Sequence, residues 1–184
     1  YSITVIPYSG SKGIIYARLN GLQHINGDII LCTDGDSYVA RNWIDEMVKT
    51  LNKGNVLVGS WMKLKGTFFG WLSNFFNWYY CIRSKNKIER WIWGPSMGFW
   101  GKDKDFVREV FEKSIILTKQ LNLTRNPDDY WLALFMKKRG SLKMTNKTHV
   151  TQNTKEVSSS EVIKRSKENV SNAEKMEKYF STLS

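Results

Sequence analysis

Cysteine is scarce in this sequence, and the two present, Cys32 and Cys81, can support neither a disulfide scaffold nor a zinc site, whose ligand spacing they lack. Cys32 sits in an apolar strand-like run and reads as a small buried hydrophobe in a reducing, cytoplasmic compartment. No apolar run reaches the roughly 18–20 residues that span a bilayer, and no signal-peptide pattern is evident. Internal repeats, low-complexity tracts and clear linkers are also missing, so residues 1–184 read as one domain. The chain opens on Tyr1, within a strand-like run, and further N-terminal sequence is expected to be missing. Acidic residues are the minority charge, 17 against 28 Lys and Arg, which leaves a net +11. Such an excess favours an anionic partner, but it does not choose between nucleic acid, an anionic membrane surface and a nucleotide diphosphate. The basic residues are spread along the chain, as a solvated face would also have them.

Hydrophobic residues make up 41% of the chain, enough for a real core, and eight Trp are the oddest single count. Ile3 to Pro7 reads as a short strand. Residues 14–26 read as a helix with Ile15, Leu19, Leu22 and Ile25 on one face and Gly27 at its C-cap. The run Ile29-Ile30-Leu31-Cys32 suits a buried, parallel strand. A helix over 42–52 and a strand at Val56–Val58 complete a β-α-β-α-β first third. Downstream, a turn at 94–98 leads to a short strand at Phe99-Trp100. Helices are expected over 103–117 and 128–139, a strand over 145–151, and an amphipathic basic helix over 158–184. The fold class is therefore α/β, a mostly parallel central sheet with helices on both faces.

Ligands of open α/β sheets sit beyond the carboxyl ends of the strands, where Asp34-Gly35-Asp36 falls. Two carboxylates one residue apart can share a hard cation, and the intervening Gly relieves crowding and permits unusual backbone angles. Asp-Gly is equally an ordinary turn sequence. A second acidic pair, Asp128-Asp129, follows Pro127 at a helix start, where the dipole alone favours Asp.

The order of these segments resembles GT-A-fold glycosyltransferases, in particular the inverting family 2. The resemblance is carried by Tyr16-Ala17-Arg18-Leu19-Asn20-Gly21-Leu22, then Gly27-Asp28 through Thr33-Asp34-Gly35-Asp36-Ser37, then Trp43-Ile44. It continues in Gly94-Pro95-Ser96-Met97-Gly98-Phe99-Trp100 and in Asp128-Asp129-Tyr130-Trp131 through Arg139-Gly140, and covers residues 3–149. Leu19 separates Arg18 from Asn20 where the family has them adjacent, and Asp128 stands where Glu is commoner. By this resemblance residues 1–60 form the donor and metal-binding half and 61–150 the acceptor half. Asp34 and Asp36 would hold Mn²⁺ or Mg²⁺ on a nucleotide-diphosphate sugar, and Arg18 would lie near the donor phosphates. Asp129, beside Asp128, would be the catalytic base, and His149 a third metal ligand.

Residues 61–93 carry eleven aromatics interleaved with Lys and Arg. They would form core and acceptor cleft, or else a peripheral membrane contact for a lipid-linked acceptor. Glycans and glycoproteins are the other acceptor classes. Two rival functions share these features. A nucleotidyltransferase of similar fold would also place a metal on phosphates, and a non-catalytic basic, aromatic module would bind nucleic acid or membrane. Nucleic acid is not the expected partner, because no recognised binding motif is present and that reading leaves the carboxylates unexplained.

Overall fold

The computed structural model describes residues 3–65, 92, 94–125, 127–153 and 159–182. Helix α1 (Ile14–His24) buries Ile15 and Leu22, one apolar stripe at helical spacing. Strand β1 (Ile29–Cys32) follows, then a turn and a short strand β2 (Ser37–Val39). Helix α2 (Trp43–Leu51) turns Trp43, Met47, Thr50 and Leu51 inward, and Gly54, at φ 86°, takes the left-handed conformation that ends it. Strand β3 (Asn55–Lys65) comes next, then β4 (Met97–Trp100), and a 3₁₀ turn at Gly101–Asp103 leads into helix α3 (Lys104–Gln120). Helix α4 (Asp128–Lys137), strand β5 (Ser141–Asn153) and helix α5 (Ser159–Ser181) complete the order.

The five strands form one sheet in the order β1-β4-β3-β5-β2. Among the described strands only β3 and β5 pair parallel; β1 with β4, β3 with β4 and β2 with β5 pair antiparallel. The sheet is thus mixed, not mostly parallel as the sequence suggested. The reason lies in where β4 enters. Met97 pairs with Cys32, so β4 starts at the carboxyl end of β1 and must run back against it. Strand β2 turns back only four residues beyond β1 and pairs with β5. Strands β3 and β5 pair parallel across the long connection that parallel pairing requires.

Two cores lie on the two faces of the sheet. Ile30, Leu57, Met97 and Phe99 pack with α1, α3, α4 and α5, whereas Val58 and Val150 pack with Trp43, Met47 and Leu51 of α2. Ile29 and Leu31 lean on the α2 side and Ile30 on the other, so alternate residues of β1 serve opposite cores. An unbroken apolar run is what a strand covered on both faces requires.

Several expectations change. Ile3 to Pro7 forms no strand: Ile3 and Val5 are 89% and 83% exposed and have no ladder partner. β-branched residues stabilise a strand only when a neighbour packs on them. Helix α1 ends at His24 with an extended Ile25, so Gly27 is not its cap. Val170, expected on the apolar stripe of α5, is 55% exposed, while Met176 is fully buried. The aromatic stretch falls almost wholly at 66–91 and 93, outside the described residues, and so do the side chains of Val162 and Leu183.

Candidate active site

Asp34 stands two residues past the end of β1, and its carbonyl accepts the Ser37 N–H at 3.1 Å to close the turn. Its carboxylate is engaged on both oxygens. Oδ1 takes Nη2 of Arg18 at 3.2 Å, and Oδ2 takes the Gln152 amide of β5 at 3.4 Å. Burial lifts the Asp34 carboxyl above the usual range, Arg18 draws it back, and the charge on Asp36 lifts it again. The charge of Asp36 is thus felt at Asp34. Asp36 itself is exposed. Gly35 has open space where a Cβ would go and no positive φ, so neither crowding nor backbone strain requires glycine there.

Arg18 reaches this point from the middle of α1 and also pairs through Nη1 with Oδ2 of Asp128. Both are well covered, with side chains 13% and 6% exposed. Burial alone would lower the Arg18 pKa; Asp128 foremost, then Asp129 and Asp34, more than offset it, and the guanidinium stays charged. One cation therefore ties the acidic residue after β1 to the acidic pair that opens α4.

Asp129 points the other way from the same helix turn. Its Oδ2 accepts the Gly94 N–H at 2.9 Å and its Oδ1 the Tyr130 N–H at 2.8 Å. Burial pushes its pKa up to about 6 and Asp128 pushes the same way, against the Gly94 N–H, Arg18 and the Tyr130 N–H. Gly94 serves twice, because a Cβ there would lie 2.6 Å from Nη2 of Arg18. The turn before β4 thus passes close over the guanidinium while its N–H fixes Asp129. Cys32 is partly buried beside this network and burial pushes its thiol up to about 11, so it stays protonated at neutral pH.

These groups line a cavity of about 260 Å³ containing Arg18, Asp34, Asp128 and Asp129, walled on the far side by Asn172 and Met176 of α5. Helix α5 is held there by the Tyr130 hydroxyl donating to Glu177 at 2.6 Å, by Thr124 with Asn172, and by Trp131 edge-on to Tyr179. A larger cleft of about 670 Å³ lies at the other end of β1, between Ile25–Asp28 and Trp100–Lys104. It offers a single carboxylate, Asp28, and its Lys104 is spent on Ile25 and Asn26, so the smaller cavity has the chemistry.

A family model for glycosyl transferase family 2 matches residues 1–113. The chain belongs to that family. Comparison with curated proteins finds no match. The family segment contains α1, the Asp34–Asp36 turn and Gly94, while Asp128, Asp129 and His149 lie beyond it and are placed by geometry alone. Four of the six residues singled out in the sequence, Arg18, Asp34, Asp128 and Asp129, line this one cavity, and Asp36 lies exposed two residues beyond Asp34. His149 does not join them. It is half-buried on β5, an odd number of residues from Gln152 and so on the other side of that strand, with its pKa lowered by burial and then by Lys63. Among the described residues, no three His, Cys, Asp or Glu come together as a metal-binding group. The backbone N–H of Gly94, the Gln152 amide and the α5 wall were not foreseen. Only α5 left a signal, the Ala173 and Met176 positions of its apolar stripe.

Proposed function

We propose that this glycosyltransferase moves a sugar from a nucleotide-diphosphate donor to a hydroxyl acceptor with inversion at the anomeric carbon, and that Asp129 is the base. The observation that carries the reading is the state of Asp129: a half-buried carboxylate, oriented by two backbone N–H groups, with a pKa of about 6 beside a cavity. A base that titrates just below neutrality is ionised at working pH yet still basic enough to take a hydroxyl proton. In the reaction the acceptor oxygen forms its bond to the anomeric carbon as the bond to the diphosphate breaks. The hydroxyl proton goes to Asp129, and the diphosphate departs with the bonding electron pair.

A divalent cation fits the donor side. Asp34 and Asp36 supply an all-oxygen, doubly anionic pair, one partly buried and one exposed, and Mg²⁺ or Mn²⁺ takes such ligands while keeping positions for phosphate oxygens. The metal would supply neutralising charge for the diphosphate. Arg18, already ionised, adds positive charge at the same edge of the cavity. Helix α5 walls the same cavity through Asn172 and Met176. Calorimetric titration of UDP and of GDP, with and without Mn²⁺, tests the donor side; metal-dependent binding that disappears in Asp36→Ala is the expected result. Transfer that persists at full rate in Asp129→Asn would remove the base assignment.

A further inference from the structure

We propose that Arg18 is an internal counter-cation of the donor-side site: its guanidinium occupies Asp34 until a divalent metal takes that carboxylate, so that metal binding is an exchange of one cation for another. The inference rests on the reading of Asp34 and Asp36 as metal ligands and goes beyond it.

Both oxygens of Asp34 already have donors, Arg18 on Oδ1 and the Gln152 amide on Oδ2. A hard cation needs carboxylate lone pairs free of N–H donors and free of an adjacent positive charge. It must therefore displace at least one of these contacts, and the charged one is the greater obstacle. The guanidinium is built to let go of one partner while keeping the other. Nη1 is held by Asp128, whose side chain is the better covered of the two partners at 6% exposed against 22% for Asp34, and Asp128 is the largest of the charges that keep Arg18 ionised. Nη2 holds Asp34 at 3.2 Å. Release of Asp34 leaves Arg18 anchored on Asp128 with Nη2 facing the cavity, where an arriving diphosphate presents anionic oxygens. The missing Cβ of Gly94 leaves Nη2 the room for either position. One guanidinium thereby offsets part of the negative charge of Asp34 and Asp128.

The test is Mn²⁺ alone, titrated calorimetrically into the wild-type chain, Arg18→Met and Arg125→Met. Arg125 is a second cation on the cavity wall, paired with Glu168 and not with Asp34. Removing the competing charge-assisted contact should tighten Mn²⁺ binding in Arg18→Met by roughly five- to tenfold. Arg125→Met should stay within about twofold of wild type, since an exposed charge acts only through screened solvent. If Arg18→Met does not fold, as judged by circular dichroism, Arg18→Met/Asp128→Asn is compared with Asp128→Asn, and the same tightening is expected. Wild-type binding with no tightening on loss of Arg18, or equal tightening in Arg125→Met, overturns the exchange and leaves the metal reading standing. No Mn²⁺ binding by any of these chains, with UDP or GDP added as well, removes the metal reading and the exchange together.

Discussion

Asp129 should make the protein less stable at neutral pH than at acid pH, the reverse of the usual behaviour of a paired carboxylate. Its pKa in the folded chain is about 6, against 3.8 for a free Asp, because burial and Asp128 disfavour its charged form. The folded state thus holds the proton more tightly than the unfolded chain does. Its contribution is fully present below the unfolded value and is lost as pH rises toward the folded one. A shift of that size corresponds to about 3 kcal/mol at neutral pH, and about 2 kcal/mol of it is lost between about pH 4.5 and about pH 7.5. Asp129→Asn cannot titrate, so the difference in unfolding free energy between wild type and variant should shift by about 2 kcal/mol over that interval. In a chain of this length that corresponds to roughly 4–8 °C in relative Tm. Groups remote from Asp129 titrate alike in both proteins, and comparing the difference at two pH values also removes the fixed cost of turning an amide NH₂ toward the Gly94 or Tyr130 N–H. Denaturant titrations of the two proteins at the two pH values supply the measurement. A difference constant to within about 0.5 kcal/mol would mean that the Asp129 carboxyl is not held as described, and the base assignment would lose its physical ground.

Two further substitutions separate glycines and buried donors by role. Gly94→Ala should cost about 1 kcal/mol, because its Cβ would meet Nη2 of Arg18 at 2.6 Å and push that end of the guanidinium off Asp34. Gly35→Ala meets open space and should change stability by less than about 0.5 kcal/mol. Equal midpoints for the two in thermal melts would refute the contrast. Trp43 donates its indole N–H to the hydroxyls of Ser60 and Ser96, at 3.2 and 2.9 Å, and both serines are fully buried. The two hydroxyls also bond each other at 2.5 Å, so Trp43→Phe should lose only about 0.5–1.5 kcal/mol, read by denaturant midpoint, and a loss of about 3 kcal/mol or more would show that the serine pair does not hold without the indole.

Local chemistry made most of the helices readable. The stripe over α1, the inward Met47 and Leu51 of α2, the Gly54 ending and the Pro127-Asp128 start of α4 are all decided within a few residues of chain. Strand partners are decided elsewhere. Ile3 to Pro7 carries strand residues but has no ladder, and β2 carries little signal but finds β5 more than a hundred residues away. The direction of β4 depends on which end of β1 it enters from, which no periodicity records. Among site residues the same division holds. Arg18, Asp34 and Asp128 have side chains whose charge advertises them. Gly94 acts through a backbone N–H and a missing Cβ, and Gln152 and Asn172 through amides common on any surface, so nothing in their spacing marks them.

The ion pair between Arg18 and Asp128 also predicts opposite changes from its two halves. Arg18 favours the charged form of Asp129, and Asp128 disfavours it. Arg18→Met should therefore raise the Asp129 pKa above about 6, and Asp128→Asn should lower it. General loosening of the α4 start would expose Asp129 in both variants and move both values down toward that of a free carboxyl. The sign in Arg18→Met is thus the deciding quantity. Carboxyl-carbon NMR of Asp129, titrated without substrate or metal, reads it independently of any donor. The acid limb of kcat/KM for donor turnover should shift the same way, since it reports the free enzyme's base. A downward shift in Arg18→Met would mean that Arg18 only braces the fold, and that the donor-side and acceptor-side carboxylates are not joined through its charge.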